Sequence, residues 1–275
     1  MIESPEIEVV RRELEREVLD RRVKAVEVLS ESVTPHSAEE LNERLERAKI
    51  TGEVSRQGLQ LLLSFDNEEI MGVTLGAGGH LRRQPNRDRV DPATRLVITF
   101  TQYGGLRLLD FKEGARLRLL SPEQAQEQQH GGIDPLVTSL SWTDFSSLLA
   151  TPSRPIYLKA FLTNSGAIVG VGDMYADEIL FNAGLRHDRM TDSLGRQEIR
   201  RLWRAIVEVL HDAVKYRGST LEDNHFVSLS GEPGAYQNHH NVFRRHGRLS
   251  PRSRRPIVRV KYRGRWTYYC EQSQV

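Results

Sequence analysis

The chain has 275 residues, 38% of them apolar and 28% charged, with 39 Lys/Arg against 37 Asp/Glu. That composition suits a globular protein of one large or two modest domains, no apolar run reaches the ~18 residues of a membrane span, and Met-Ile-Glu-Ser is not a signal peptide. The single cysteine, Cys270, excludes an internal disulfide and cannot hold a metal alone, so a cytoplasmic protein is expected, nucleoid-associated if bacterial, with a monomer favoured.

Residues 5–19 form the first predicted element, an amphipathic helix with Ile7, Val10, Leu14 and Val18 at helical spacing. Ser4 can cap it, Pro5 suits its first turn, and Glu3, Glu6 and Glu8 crowd its positive end. From about residue 22 to 120, short β-rich stretches (VKAVEVL, LQLLLSF, EIMGVTLG, RLVITFT, GLRLLDF) are broken by turns such as DNEE and QYGG. Several short strands at such intervals predict an antiparallel sandwich or barrel. EQAQEQQHGGIDP is polar, carries Gly and Pro, and reads as a linker.

Helices follow. SWTDFSSLLA starts on a Thr-Asp cap, LKAFLTNSG ends on glycine, and GDMYADEILFNAG is capped by Asp and closed by Gly. RQEIRRLWRAIVEVLHDAVKY is a long amphipathic helix with Ile199, Leu202, Ile206, Leu210 and Val214 on one side. A Gly-rich polar stretch then leads to RPIVRVKYRGRWTYYC, an alternating segment broken by RG that predicts a β-hairpin with its arginines on one face. Arg244 to Arg265 holds ten Lys/Arg and no Asp/Glu, a density that attracts phosphates. A basic two-stranded ribbon suits contact with a nucleic-acid backbone.

In LKAFLTNSGAIVGVGDMYADEIL, two helices flank VGVGD. Gly170 and Gly172 permit positive φ and close approach, so amides at the next helix start can face outward as a phosphate cradle. This stretch resembles the helix–two-turns–helix of the formamidopyrimidine-DNA glycosylase/endonuclease VIII (Fpg/Nei) family of base-excision repair enzymes. The resemblance runs over nearly the whole chain. MIESPEIE looks like the family's Met-Pro-Glu-Leu-Pro-Glu-Val-Glu, SRQGLQLLLSFDN like its Arg-Arg-Gly-Lys-Tyr-Leu strand, and LGAGGHL like its Leu-Gly-Met-Ser-Gly loop. GSTLEDN, GEPGAYQNHHNVF and GRWTYYCEQSQ look like the segment leading into the terminal finger and its last strand. The fold implied is α+β: an N-terminal β-sandwich over residues 1–125, a linker over 126–137, a helical domain over 138–238 and a finger hairpin over 239–275.

The resemblance also implies where the chemistry would lie and how this chain departs from it. The family's attacking residue is an N-terminal proline; that position is Ile2. A retained Met1 amine would stand about 3.5 Å from the usual attacking atom, a damaging displacement. Glu3 matches the family's catalytic glutamate, and Glu6 is a second residual acid–base candidate with a simpler helix-dipole role. The lysine that assists catalysis and grips phosphate corresponds to Leu59. The wedge residues that fill the space left by an everted nucleotide become Ala77, Glu113 and Gly114. The phosphate-gripping lysine, histidine, asparagine and arginine become Leu59, Thr74, Asp173 and Arg265. Asp173 also serves as a helix cap, and its ionised carboxylate offers a phosphate no donor.

The finger's four zinc cysteines correspond to Ser250, Ser253, Cys270 and Ser273, so no cofactor is expected. His246 does not complete a site. The finger would be a zincless variant held by Trp266, Tyr268, Tyr269 and Ile257, with Cys270 a small buried hydrophobe. The expected nucleic-acid contacts are Lys159, Gly170, Gly172, Asp173, Arg263 and Arg265, with Lys159 open between backbone contact and a solvated surface role. Tyr175, Asp177 and Glu178 are expected to support the motif's packing and hydrogen bonding, and His239 and His240 to be surface or turn residues. Three functions follow. The first is a binder of damaged or distorted double-stranded DNA whose glycosylase and lyase chemistry is lost or strongly reduced. The second is an atypical glycosylase using Glu3 with water or the Met1 amine. The third is a binder of structured RNA.

Overall fold

The computed structural model describes residues 2–127, 131–151, 154–222 and 225–275. Chain proximity divides them into two units. One gathers Ile2 and residues 6–127 with Arg217–Ala235; the other gathers Glu3–Pro5 and residues 131–216 with Tyr236–Val275. Met1, named above for its amine, lies outside the described residues.

Helix α1 (Ser4–Val18), which belongs to the first unit from Glu6 onward, is followed there by eight strands, with a short helix α2 (Ala38–Leu45) after the first of them. The strands are β1 (Val23–Val28), β2 (Ser55–Gln57), β3 (Gln60–Ser64), β4 (Ile70–Thr74), β5 (Gly79–Gln84), β6 (Thr94–Phe100), β7 (Gly105–Asp110) and β8 (Arg116–Leu120). They form two four-stranded sheets, ordered β2-β3-β4-β8 and β1-β6-β7-β5. All pairings are antiparallel, giving the expected β-sandwich. The period-2 pattern explains the burial: Leu61 and Leu63 on β3 pair with Val73 and Met71 on β4, and all four are sequestered from solvent. Strands β2, β5 and β8 were not among the sequence-predicted stretches, because RRQ in β5 and RLRLL in β8 interrupt the apolar runs with arginine. The expected linker is partly helical, with α3 (Pro122–Glu127) continuing from β8.

The second unit contains α4 (Trp142–Ala150), α5 (Leu158–Leu162), α6 (Asp173–Ala183) and α7 (Arg196–Lys215), then the hairpin β9 (Val258–Tyr262) and β10 (Arg265–Tyr269). The cap of α4 is Ser141, not Thr-Asp: its Oγ accepts from Asp144 N and donates to Asp144 Oδ2. Leu202, Ile206, Leu210 and Val214 of α7 are buried as the helical period requires. In the hairpin turn Arg263 and Gly264 have φ of 47° and 80°, the double left-handed geometry of a two-residue turn matched to strand twist. The register pairs Arg259 with Tyr268, Lys261 with Trp266 and Tyr262 with Arg265. Arg259 and Lys261 therefore share one face and Arg265 lies on the other, so the basic residues are split between faces and not gathered on one.

Candidate nucleic-acid interface

The glycine turn between α5 and α6 is shaped by Glu3 and Ser4, which belong to the same unit. Gly170 has φ +76°, and a Cβ there would come within 2.5 Å of Ser4 Cβ. Its carbonyl accepts from Ser4 N at 2.8 Å. Gly172 is extended (φ −105°, ψ −161°), so it is required for space and not for a positive φ. A Cβ there would lie 2.6 Å from Glu3 Cδ. Gly172, and not Asp173, is the N-cap of α6. We expect Gly170→Ala to cost about 1–3 kcal/mol from the left-handed strain alone, and more from the clash with Ser4, read as a lowered midpoint in urea melts.

Glu3 is buried and accepts three amide hydrogen bonds, from Gly172 N at 2.6 Å, Met174 N at 3.2 Å and Tyr175 N at 3.4 Å. A carboxylate at a helix N-terminus satisfies the donors the helix cannot satisfy itself. These amides were expected to face a phosphate; they face Glu3. Glu6, in the first unit, is likewise buried and accepts from Ser219 N at 2.8 Å. Gly218 approaches it with φ +73°, and a Cβ there would lie 2.9 Å from Glu6 Oε1. Both residual acid–base candidates thus act as acceptors for backbone amides. Ile2 is buried at 3% exposure.

Lys159 is not a solvated surface lysine. It is buried at 1% exposure, and its Nζ donates to Asp177 Oδ1 at 2.8 Å and Thr267 Oγ1 at 2.6 Å. It also stands 3.4 Å from Asp173 Oδ1, while Asp173 Oδ2 lies 3.0 Å from Arg265 Nη1. Asp177 Oδ2 accepts from Tyr268 N at 2.9 Å. The result is a relay of alternating charge, Arg265–Asp173–Lys159–Asp177, that ties α5, α6 and β10 together. Burial pushes the Asp177 carboxyl up to about 7, against the lowering pull of Lys159 and the Tyr268 amide. Arg265 keeps an exposed side chain, yet its guanidinium is already paired. Arg263 is exposed in the hairpin turn, with its guanidinium 5.6 Å from the Tyr262 ring centre.

Glu178 is also buried, as a motif-supporting residue should be. It accepts from the amides of Asn241, Val242 and Phe243 and from Asn241 Nδ2. Tyr175 is buried too, its ring tilted against Tyr236. His240 departs from its expected surface role: it is buried, and desolvation beside Arg245 and Arg244 pushes its imidazole down to about 4. His239 stacks on Tyr216 at 3.7 Å.

The four finger positions form a hydrogen-bonded ring. Ser250 Oγ lies 3.1 Å from Ser273 Oγ, which donates to Ser253 Oγ at 3.0 Å, and Ser253 Oγ lies 3.2 Å from Cys270 Sγ. One thiol among three hydroxyls does not fit zinc, which takes nitrogen, thiolate or carboxylate donors. The ring sits beside an apolar cluster of Phe181, Val242, Ile257, Tyr268 and Cys270. Trp266, expected in that packing, is instead 41% exposed.

In the first unit, the loops resembling wedge carriers are exposed at Ala77 and Glu113. Gly76 (φ +61°) packs against Gly114, and Asp110 holds the β7–β8 turn by accepting from Lys112 N at 3.1 Å and Ala115 N at 2.8 Å. That turn presents Phe111, 57% exposed and edge-on to His80. Sequence reading missed Phe111 because it ends a strand whose other apolar residues are core. Leu59 and Thr74 are partly buried.

A β-sandwich unit and a second unit with a glycine-turned helix pair and a basic terminal hairpin define a protein of the helix–two-turns–helix glycosylase class. Two family models match the chain: the formamidopyrimidine-DNA glycosylase N-terminal domain over residues 1–117 and the formamidopyrimidine-DNA glycosylase H2TH domain over residues 132–225. A formamidopyrimidine-DNA glycosylase of Syntrophomonas wolfei is 33% identical, with all of both chains covered. One of Thermus thermophilus is also 33% identical, over 100% of this chain and 98% of its own. Among solved structures, Lactococcus lactis Fpg in complex with DNA containing an abasic site aligns with TM-score 0.88 and 25% identity over 99% of both chains. The Thermus thermophilus protein aligns with TM-score 0.84 and 32% identity, covering 99% of this chain and 98% of that one. The chain belongs to the Fpg/Nei family.

Proposed function

We propose that this protein binds double-stranded DNA carrying a lesion or distortion, and that base release and strand cleavage are lost or strongly reduced. The observation that carries this is at the nucleophile's position. The family's attacking proline corresponds to Ile2, whose side chain is buried and which brings no secondary amine to that position. Three further features support the same reading. Glu3 is committed to three amides, position 59 is an uncharged leucine, and Asp173 occupies the guanidinium of Arg265. DNA as the ligand is supported by the relatives, one of which is solved with DNA containing an abasic site, and by the Arg244–Arg265 segment. Phe111 is an exposed apolar side chain available to prop an opened step of the duplex.

The test is borohydride trapping on an abasic duplex, run beside fluorescence-anisotropy binding to the same duplex and its undamaged match. We expect tighter binding to the abasic duplex and no covalent adduct. Efficient trapping would overturn the loss of lyase chemistry, and equal affinity for both duplexes would overturn lesion recognition. The retained Glu3 favours one competing reading, a glycosylase in which this carboxylate activates water. A base-release assay over a panel of lesions decides it: release that disappears in Glu3→Gln would make the protein an enzyme.

A further inference from the structure

The hairpin β9–β10 has two faces of different electrical character. On the face with Tyr262, Val260 and Val258, Arg265 is neutralised by Asp173, and Thr267 and Tyr269 are buried. On the other face stand Arg259 and Lys261 with Trp266. Arg259 Cζ lies 4.4 Å and Lys261 Nζ 5.5 Å from the indole ring centre. Among the described residues neither cation is paired with a carboxylate, and the Arg244–Arg265 segment contains no Asp or Glu. Of the three tryptophans, Trp266 is exposed, whereas Trp142 and Trp203 are half-buried. Two of the hairpin's unneutralised cations and its largest exposed aromatic therefore share one patch.

From this we infer that Trp266, Arg259 and Lys261 form a stacking site for an unpaired base of single-stranded nucleic acid. Every base offers a π-face, whereas duplex bases are already stacked on neighbours, so an exposed indole selects an unpaired base. The two flanking cations suit the phosphates on either side of that base. An acidic protein surface would match the charge but leave the indole without a planar partner. This site goes beyond the duplex reading and stands independently of it, since it uses the face opposite Arg265.

The test follows fluorescence of the full-length protein during titration with an oligothymidylate of about ten residues. Trp266→Ala, Trp266→Phe and the wild type are compared, with heparin as a polyanion without bases. Quenching is expected in the wild type. Binding should weaken by about tenfold or more in Trp266→Ala, with most of it retained in Trp266→Phe. The exposed position means that either variant should keep the wild-type unfolding midpoint. The inference is overturned if Trp266→Ala binds the oligonucleotide as wild type does. It is equally overturned if the variant loses heparin and oligonucleotide binding in the same proportion, or if it changes only self-association. Duplex affinity is recorded in parallel: its absence would sink the duplex reading and leave this one standing.

Discussion

Replacing Lys159 by methionine is expected to destabilise the protein by about 3–5 kcal/mol at pH 8, because it strands a buried carboxylate. Asp177 has no exposed side-chain surface, and with Lys159 gone the donor left to it among the described residues is the Tyr268 amide. Methionine keeps most of the lysine volume, so packing loss alone should stay below about 1.5 kcal/mol. The pH dependence separates charge from volume. The Asp177 carboxyl in the folded protein is raised from an ordinary value near 3.8 to about 7, by burial above all. A group with a raised folded pKa contributes stability that is fully present below its unfolded value and is lost as pH rises through the folded one. Removing Lys159 removes an influence that lowers this pKa, so the folded value moves higher still. Lys159→Met should therefore be most destabilised at pH 8 and recover in urea melts at pH 5, where Asp177 can hold its proton. Adding Asp177→Asn should restore much of the loss at pH 8, a coupling expected of directly bonded partners. An equal loss at both pH values would show that Lys159 matters for its shape and not for its charge.

The same residue shows why part of this molecule was legible in the sequence and part was not. Lys159 is visible as a lysine opening a helix, and nothing in its local sequence tells a buried lysine from a surface one. Its burial depends on Asp177, 18 residues on, and Thr267, 108 residues on, both placed by the tertiary fold. By contrast, the long helix α7 could be read directly, because one apolar stripe at a 3.6 period requires no knowledge of a partner. The sandwich was legible where strands were apolar and went unread at β5 and β8, where arginines interrupt the apolar residues. The two motif glycines were identified as special for one shared reason, but only Gly170 has a positive φ. Gly172 is small because Glu3 stands against it, a contact across 169 residues that no local pattern encodes. Trp266 was assigned to packing from its residue type; the hairpin register turns it outward beside Lys261.

Asp173→Asn is expected to tighten binding to an abasic duplex by about tenfold, equivalent to ~1.4 kcal/mol, and to steepen its salt dependence by about one unit of log–log slope. Arg265 is the residue of the expected phosphate grip that keeps both its charge and its exposure, and Asp173 Oδ2 lies 3.0 Å from its guanidinium. A phosphate must displace that carboxylate or bind beside it, and two anions near one guanidinium repel each other. Asparagine removes the repulsion, keeps the side-chain volume and supplies an amide donor. The gain stays within about a single decade because Arg265 is exposed, and solvent screening weakens such pairs. Folding should tolerate the change, since Lys159 retains Asp177 and Thr267 as partners and the N-cap of α6 is Gly172. The gain must run through Arg265, so Arg265→Gln should erase it in the double variant while costing less in the wild-type background. Weaker binding by Asp173→Asn would mean that the carboxylate aligns Arg265 for the strand and does not compete with it. The acid would then belong to the grip and would no longer support the proposed loss of chemistry.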